Sequence, residues 1–313
     1  MRYTGSVNKV LWNFVIPTLF ALFLFSRAYD FFNFDDGNRK KIADQLTRDV
    51  ALAEVLDGVI LGGSNARFGL SAKFFSEQTR SQWHNLSLLN EAFSDENYWQ
   101  YIDSAIPSQE KRASVSIVVY SSLAPLRYSW IDDRVGVLHG LEGDNSFSLV
   151  PQRSFASKIK EFFLANALLD QNAAYPLPTL HGDFDFQRFN CRLDANGIVF
   201  ERNLNRERIH QWINNQLTQL QKLFPNALIY FVVPSQYYGA KFQPAVSQQS
   251  DELLLDSVKS FNESYKRNVY FVRQPNFPSM EMLCNGMHHA NEEGRLWRSK
   301  NLLDTITSVR SIS

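Results

Sequence analysis

Five short apolar runs recur along the chain with helical patterns between most of them, and this alternation limits the fold more than any other feature. The runs are Gly58–Leu61, Asn85–Leu89, Ser114–Tyr120, Ala227–Val233 and Asn268–Val272. All but Asn85–Leu89 are rich in Val, Ile, Phe or Tyr, as strands buried on both faces of a parallel sheet tend to be. Helical patterns cover Arg39 to Leu56, Ala72–Gln78, Asp95–Ile102, Arg206–Leu223, Asp251–Tyr265 and Glu292–Val309. The alternation predicts an α/β fold: an open parallel five-stranded sheet between two layers of helices. The 313 residues suffice for one large α/β domain or two smaller ones. In such sheets, sites lie at the carboxyl ends of the strands. Residues 124–205 break the pattern, with scattered Gly and Pro, Asp-rich turns and one helical stretch, Phe155 to Leu168. They read as an insertion after the third strand, either a lid or a binding surface.

The N-terminus carries a second signal. Residues 10–26, VLWNFVIPTLFALFLFS, hold no formal charge, and Arg2 and Lys9 precede them with no acid. That charge bias predicts a membrane segment with the bulk of the chain on the far side. Trp12 and Tyr29 would mark its two interfaces. The alternative is a cleaved signal peptide, with Ser26-Arg27-Ala28 as a small-x-small site. Residues 1–28 are therefore read as anchor or signal, 29–56 as a polar linker and helix, and 57–313 as the α/β domain. The anchor reading implies a single-span membrane protein with its domain outside the cytoplasm; the signal reading implies a secreted one. Charge is balanced, 32 basic residues against 32 acidic, so nucleic acid is excluded as the expected partner. Two cysteines, Cys191 and Cys284, stand far apart and without metal-ligand spacing. They either pair in an oxidising compartment or remain as buried thiols.

The first strand runs into Gly62-Gly63-Ser64-Asn65 and then a helical pattern. Glycine permits a sharp turn, and Ser64 either caps the helix or is presented by the turn as a nucleophile. A serine hydroxyl needs a base to take its proton. Near the C-terminus, Cys284-Asn285-Gly286-Met287-His288-His289-Ala290-Asn291 places two histidines on a loop before the last helix. A histidine there, at the carboxyl edge of the sheet, supplies such a base. Adjacent histidines point apart, so a shared metal is not expected. His84, His139, His181 and His210 are isolated and read as structural or exposed.

Together these stretches resemble the SGNH (GDSL-like) hydrolase superfamily. The likeness is to its branch of cell-envelope polysaccharide O-acyltransferases and esterases and lipoteichoic-acid D-alanylation proteins. Gly62-Gly63-Ser64-Asn65-Ala66-Arg67-Phe68-Gly69-Leu70 fits the family's first block, Asn85-Leu86-Ser87-Leu88-Leu89-Asn90 its second, and His289-Ala290-Asn291-Glu292-Glu293-Gly294 the second half of its last. The resemblance implies a flavodoxin-like three-layer fold over residues 57–313, no cofactor and no metal, and, with the anchor, a bacterial inner-membrane protein whose domain faces the periplasm or exterior. It implies that Ser64 attacks an acyl group and that His289 is the base, with His288 as the alternate. The oxyanion would be held by the backbone N–H groups of Ser64 and Asn90, where the family has glycine. Ser121 or Ser122 stands in place of the third block's asparagine. Asn65, Ser235, Gln236 and Tyr237 would contact substrate, and Tyr237-Tyr238 would stack on a sugar ring.

The acid is the main departure. Gly286 stands three residues before His289, and Asn285 three before His288, where the family has aspartate. Replacing such an acid by its amide costs roughly 10⁴ in kcat in a serine protease. A Ser-His dyad, a carboxylate from elsewhere such as Glu281, or loss of catalysis would each reconcile the sequence with the fold. The expected function is serine-dependent acyl transfer, as O-acyltransferase or esterase, on an envelope or extracellular polysaccharide, with a membrane-embedded acyl donor protein as a further partner. The rival expectation is a non-catalytic glycan-binding or scaffold protein of polysaccharide assembly.

Overall fold

The computed structural model describes residues 17, 41–88, 96–122, 176–189, 191, 206–237, 248–267, 269–284 and 289–310. The expected membrane segment (residue 17 apart), the helix Phe155–Leu168, and Asn90, His139, Tyr238, Asn285 and His288 lie outside the described residues. Contacts divide the chain into one unit of Met1–Lys41 with Arg153–Ala174 and a larger one of Ile42–Gln152 with Tyr175–Ser313. Among the described residues no helix is long and apolar enough to cross a membrane.

In the larger unit, β1 (Gly58–Gly62), β2 (Trp83–Asn85), β3 (Ile117–Ser121), β4 (Leu228–Val233) and β5 (Val269–Arg273) form one five-stranded sheet in the order β2-β1-β3-β4-β5. Every neighbouring pair is parallel. This is the strand order of doubly wound, flavodoxin-like sheets, with its switch point between β1 and β3. The helices are α1 (residues 42–52), α2 (Ser64–Gly69), α3 (Ala72–Thr79), α4 (Glu96–Ala105), α5 (Gln109–Ser114), α6 (Arg206–Leu223), α7 (Gln248–Tyr265) and α8 (Glu292–Arg310).

Alternate strand residues feed two separate cores, as the period of two requires. Val59, Leu61, Val118, Tyr120, Ile229, Phe231 and Val233 pack with α1, α4, α6 and α7 on one face. Ile60, Ile117, Val119, Tyr230 and Val232 pack with Phe75 of α3 and with Leu302 and Ile306 of α8 on the other. The layers are α/β/α, as the alternation predicts. In α6 the buried Ile209, Ile213, Leu217 and Leu220 recur at helical spacing, which makes one stripe for the sheet.

Three details depart from the sequence reading. First, Asn85 ends β2 instead of opening a strand. Its Oδ1 accepts from Ser87 N–H at 3.1 Å and its Nδ2 donates to Leu70 O at 3.1 Å, so the amide turns the backbone. Leu86 and Leu88 N–H still donate to Ile60 O and Gly62 O of β1, at 2.8 and 3.1 Å. Second, β3 begins at Ile117, not Ser114, because the unanticipated α5 precedes it. Ser108 caps α5 by accepting from Lys111 N–H at 3.2 Å. Third, a short part of residues 124–205, Gly182 to Phe184, is buried in the core, which its loop-like composition did not suggest. Phe184 is fully buried, and His181 O accepts from Asn85 N–H at 2.9 Å. Asp183 accepts from Ser71 Oγ, Ala72 N–H and Lys73 N–H at 2.7, 2.7 and 3.0 Å, capping α3 from outside. The two cysteines are joined: Cys191–Cys284 bridges 93 residues.

Candidate active site

The turn after β1 is built so that one side chain escapes burial. Every residue from Gly58 to Ala72 is buried except Ser64. Gly62 sits at φ 131, a region closed to side-chain-bearing residues. A Cβ on it would lie 2.0 Å from the Ser121 carbonyl oxygen of β3. Gly62 N–H donates to the Tyr98 hydroxyl at 2.8 Å. Burial raises the Tyr98 pKa, so the phenol stays neutral. Gly63, not Ser64, is the N-cap of α2, with its carbonyl accepting from Ala66 and Arg67 N–H, each at 3.1 Å. The serine hydroxyl is thereby spared from capping.

It meets the last loop instead. Ser64 Oγ lies 2.8 Å from His289 Nε2, across 225 residues of sequence. That distance is within the range for proton transfer to a general base. The imidazole is held from several sides. Its ring stacks on Phe68, one turn along α2 from Ser64, at 4.7 Å between centroids and 16° between planes. His289 O accepts from Cys284 N–H at 2.7 Å, and Leu283 pairs with Ala290 in an antiparallel bridge. Asn291 closes the loop: its Nδ2 donates to Glu281 O at 2.5 Å and its Oδ1 accepts from Gly294 N–H at 3.0 Å, capping α8. The Cys191–Cys284 bridge ties the same loop to the segment that holds the buried Gly182, Asp183 and Phe184.

The other expected site residues fall differently. Asn65 is buried, and its carbonyl accepts from Arg298. Ser121, at the end of β3, and Ser122 are buried. Ser235 and Gln236, just past β4, are buried too, with Gln236 O accepting from Phe277 N–H at 2.8 Å. Tyr237 is half-buried and packs against Phe277, Leu283 and Ala290. Of these four expected substrate contacts, only Tyr237 has an appreciable exposed surface. Glu281 is exposed, and its N–H donates to Ser279 Oγ at 3.1 Å.

Two buried arginines brace the serine turn, and nothing in the sequence reading pointed to them. Arg67 donates through Nη1 to Gly182 O at 2.8 Å and Ser87 O at 3.3 Å. Arg298, on α8, donates through Nη1 to Asn65 O at 2.8 Å, through Nε and Nη2 to Gln274 Oε1 at 2.8 and 2.6 Å, and through Nη2 to Ser121 Oγ at 3.5 Å. Burial lowers Arg67 to about 10 and Arg298 to about 9, so both stay charged at neutral pH. Gly69 makes room for the latter, since a Cβ there would stand 1.7 Å from Arg298 Nη1. A buried charge has no hydrophobic period, so its only trace in the sequence was the glycine of the first block. His84, on β2, is buried and lowered to about 4 by desolvation and by the nearby His181. Among the described residues no cluster of His, Cys, Asp and Glu is arranged to hold a metal ion.

No family model and no curated protein matches this chain. It is similar to several solved structures. One is an acetyl xylan esterase from the rumen bacterium Butyrivibrio proteoclasticus, at 12% identity over 83% of this chain and 65% of that one, with a TM-score of 0.45. Another is a family two carbohydrate esterase from Clostridium thermocellum in complex with cellohexaose, at 10% identity over 82% and 65%, with a TM-score of 0.43. A third is the periplasmic domain of a lipopolysaccharide acetyltransferase from Salmonella ser. Paratyphi A, at 10% identity over 90% and 97%, also at 0.43. The chain spans about 65% of the length of the first two.

Proposed function

We propose that this chain is an SGNH-type serine enzyme that transfers acyl groups to or from hydroxyls of an envelope or extracellular polysaccharide. The observation that carries the reading is the 2.8 Å contact between Ser64 Oγ and His289 Nε2 at the carboxyl edge of the sheet. His289 Nε2 takes the hydroxyl proton as Ser64 Oγ bonds to the carbonyl carbon of an ester. The tetrahedral oxyanion collapses, the ester C–O bond breaks, and the departing alkoxide takes the proton from the imidazolium. Acyl-Ser64 remains. Water or a sugar hydroxyl then gives its proton to His289, attacks the acyl carbon and displaces Ser64 Oγ, which recovers the proton. Water as acceptor makes an esterase; a sugar hydroxyl makes an O-acyltransferase. The backbone N–H groups of Ser64 and Asn90 are the proposed oxyanion donors.

An extracytoplasmic location completes the reading, with residues 1–28 as anchor and a membrane-embedded protein as acyl donor. The Cys191–Cys284 bridge supports an oxidising compartment. An alkaline phosphatase fusion at the C-terminus, active in intact cells, is the expected result.

The test of the chemistry is a fluorophosphonate probe with p-nitrophenyl acetate turnover. Wild type is expected to label and turn over, and Ser64→Ala to do neither. Glycan binding that survives Ser64→Ala, with no labelling of wild type, overturns catalysis in favour of a scaffold.

A further inference from the structure

Arg298 gathers three strand ends around the nucleophile's turn. Its guanidinium holds the carbonyl of Asn65, the residue next to Ser64. It also holds Gln274, just past β5, and Ser121, the last residue of β3. Gln274 Nε2 returns a hydrogen bond to Arg298 O at 3.0 Å, locking the side chain to its own helix. Among the described residues every partner is a neutral oxygen and no carboxylate faces this fully buried cation, an expensive arrangement for packing alone. The same helix, α8, follows directly on His289 and Asn291. Arg298 therefore connects the helix that carries the base to the backbone that carries the nucleophile.

Resting on the acyl-transfer reading, we infer that Arg298 is a positioning residue, whose fork on Asn65 O and Gln274 Oε1 sets Ser64 Oγ against His289 Nε2. Gly69 is its complement, the missing side chain that lets the fork reach Asn65. Lysine offers a point charge in place of a planar fork and cannot hold both acceptors in this geometry. Loss of the fork shifts the serine turn, and small displacements of reacting groups cost rate far more than binding.

The test uses the full chain, with Arg298→Lys, Gly69→Ala, their double variant, and Lys300→Gln, an exposed change on the same helix, as the control. Readouts are the fluorophosphonate labelling rate, kcat and KM on p-nitrophenyl acetate, thermal melting, and the ¹⁵N shift of the His289 imidazole. Arg298→Lys and Gly69→Ala are expected to label and turn over at least tenfold more slowly, with KM within about twofold. The double variant should be no worse than the slower single one, because both remove one interaction. Lys300→Gln changes an exposed residue of the same helix and should stay within about twofold of wild type. Folded Arg298→Lys or Gly69→Ala at wild-type rates overturns the inference while the acyl-transfer reading stands. If wild type does not label, the ¹⁵N shift decides. A His289 shift altered in Arg298→Lys or Gly69→Ala supports the inference although the acyl-transfer reading fails, and an unaltered one overturns it. Should Arg298→Lys fail to fold, Gly69→Ala alone decides by the same readouts.

Discussion

At the residue scale, the site depends on contrasts between neighbours. Ser64 is partly exposed in a stretch where everything around it is buried, and Gly62 and Gly63 create that contrast. Gly62→Ala would force a side chain into a φ of 131 and against the Ser121 carbonyl. A loss of about 2–3 kcal/mol or more is expected, read as a lower urea midpoint with an unchanged slope. His289→Gln keeps an amide near the hydroxyl and cannot carry its proton. Turnover of p-nitrophenyl acetate should fall by roughly 10⁴ or more while the melt is little changed. Ser64 and the His288-His289 pair were legible because a hydroxyl after a strand and a histidine before a helix are chemistry in unusual places. Sequence spacing left the two histidines open; the fold brings His289 to the serine. Arg67 and Arg298 were not legible, because their partners are backbone and amide oxygens distant in sequence.

At the scale of elements, caps and edges set the boundaries that patterning missed. The long helices α6 and α8 fell within a residue of expectation, since each packs on a sheet face along much of its length. Short elements did not: β2 ends where a side-chain amide turns it, and α5 lies in a stretch whose Pro107-Ser108 start was a readable helix signal. Helix α3 is capped by Asp183 from 110 residues away, which no local rule anticipates. Asp183→Ala should cost about 2 kcal/mol in a urea melt, with Asp183→Asn intermediate. Strand β2 also carries His84, whose folded pKa of about 4 lies below its ordinary 6.5. The unfolded chain therefore binds the proton more readily between those values. Stability from this group is full above pH 6.5, falls as pH drops to 4, and levels off below. The span is at most about 3 kcal/mol. Urea melts at about pH 4.5 and about pH 7 should differ less in His84→Gln than in wild type.

At the scale of the whole molecule, the α/β class and the five parallel strands were legible, because alternation of apolar runs and amphipathic helices has one economical solution. The role of residues 176–191 was not. Their composition reads as loop, yet Phe184 and Asp183 are buried as deeply as the residues of the sheet. The bridge from Cys191 to Cys284 spans 93 residues, a loop whose closure limits the unfolded chain. Reduction, or Cys191→Ala with Cys284→Ala, should lower unfolding stability by about 4 kcal/mol. Paired denaturation curves with and without reductant measure it.

The 225 residues between the two reacting groups have a consequence for the life of the chain. A ribosome that has delivered the opening strands has delivered an inert alcohol, since its activator is still unmade. Competence arrives late, when the segment that carries His289 and α8 docks, and the same docking covers one face of the sheet.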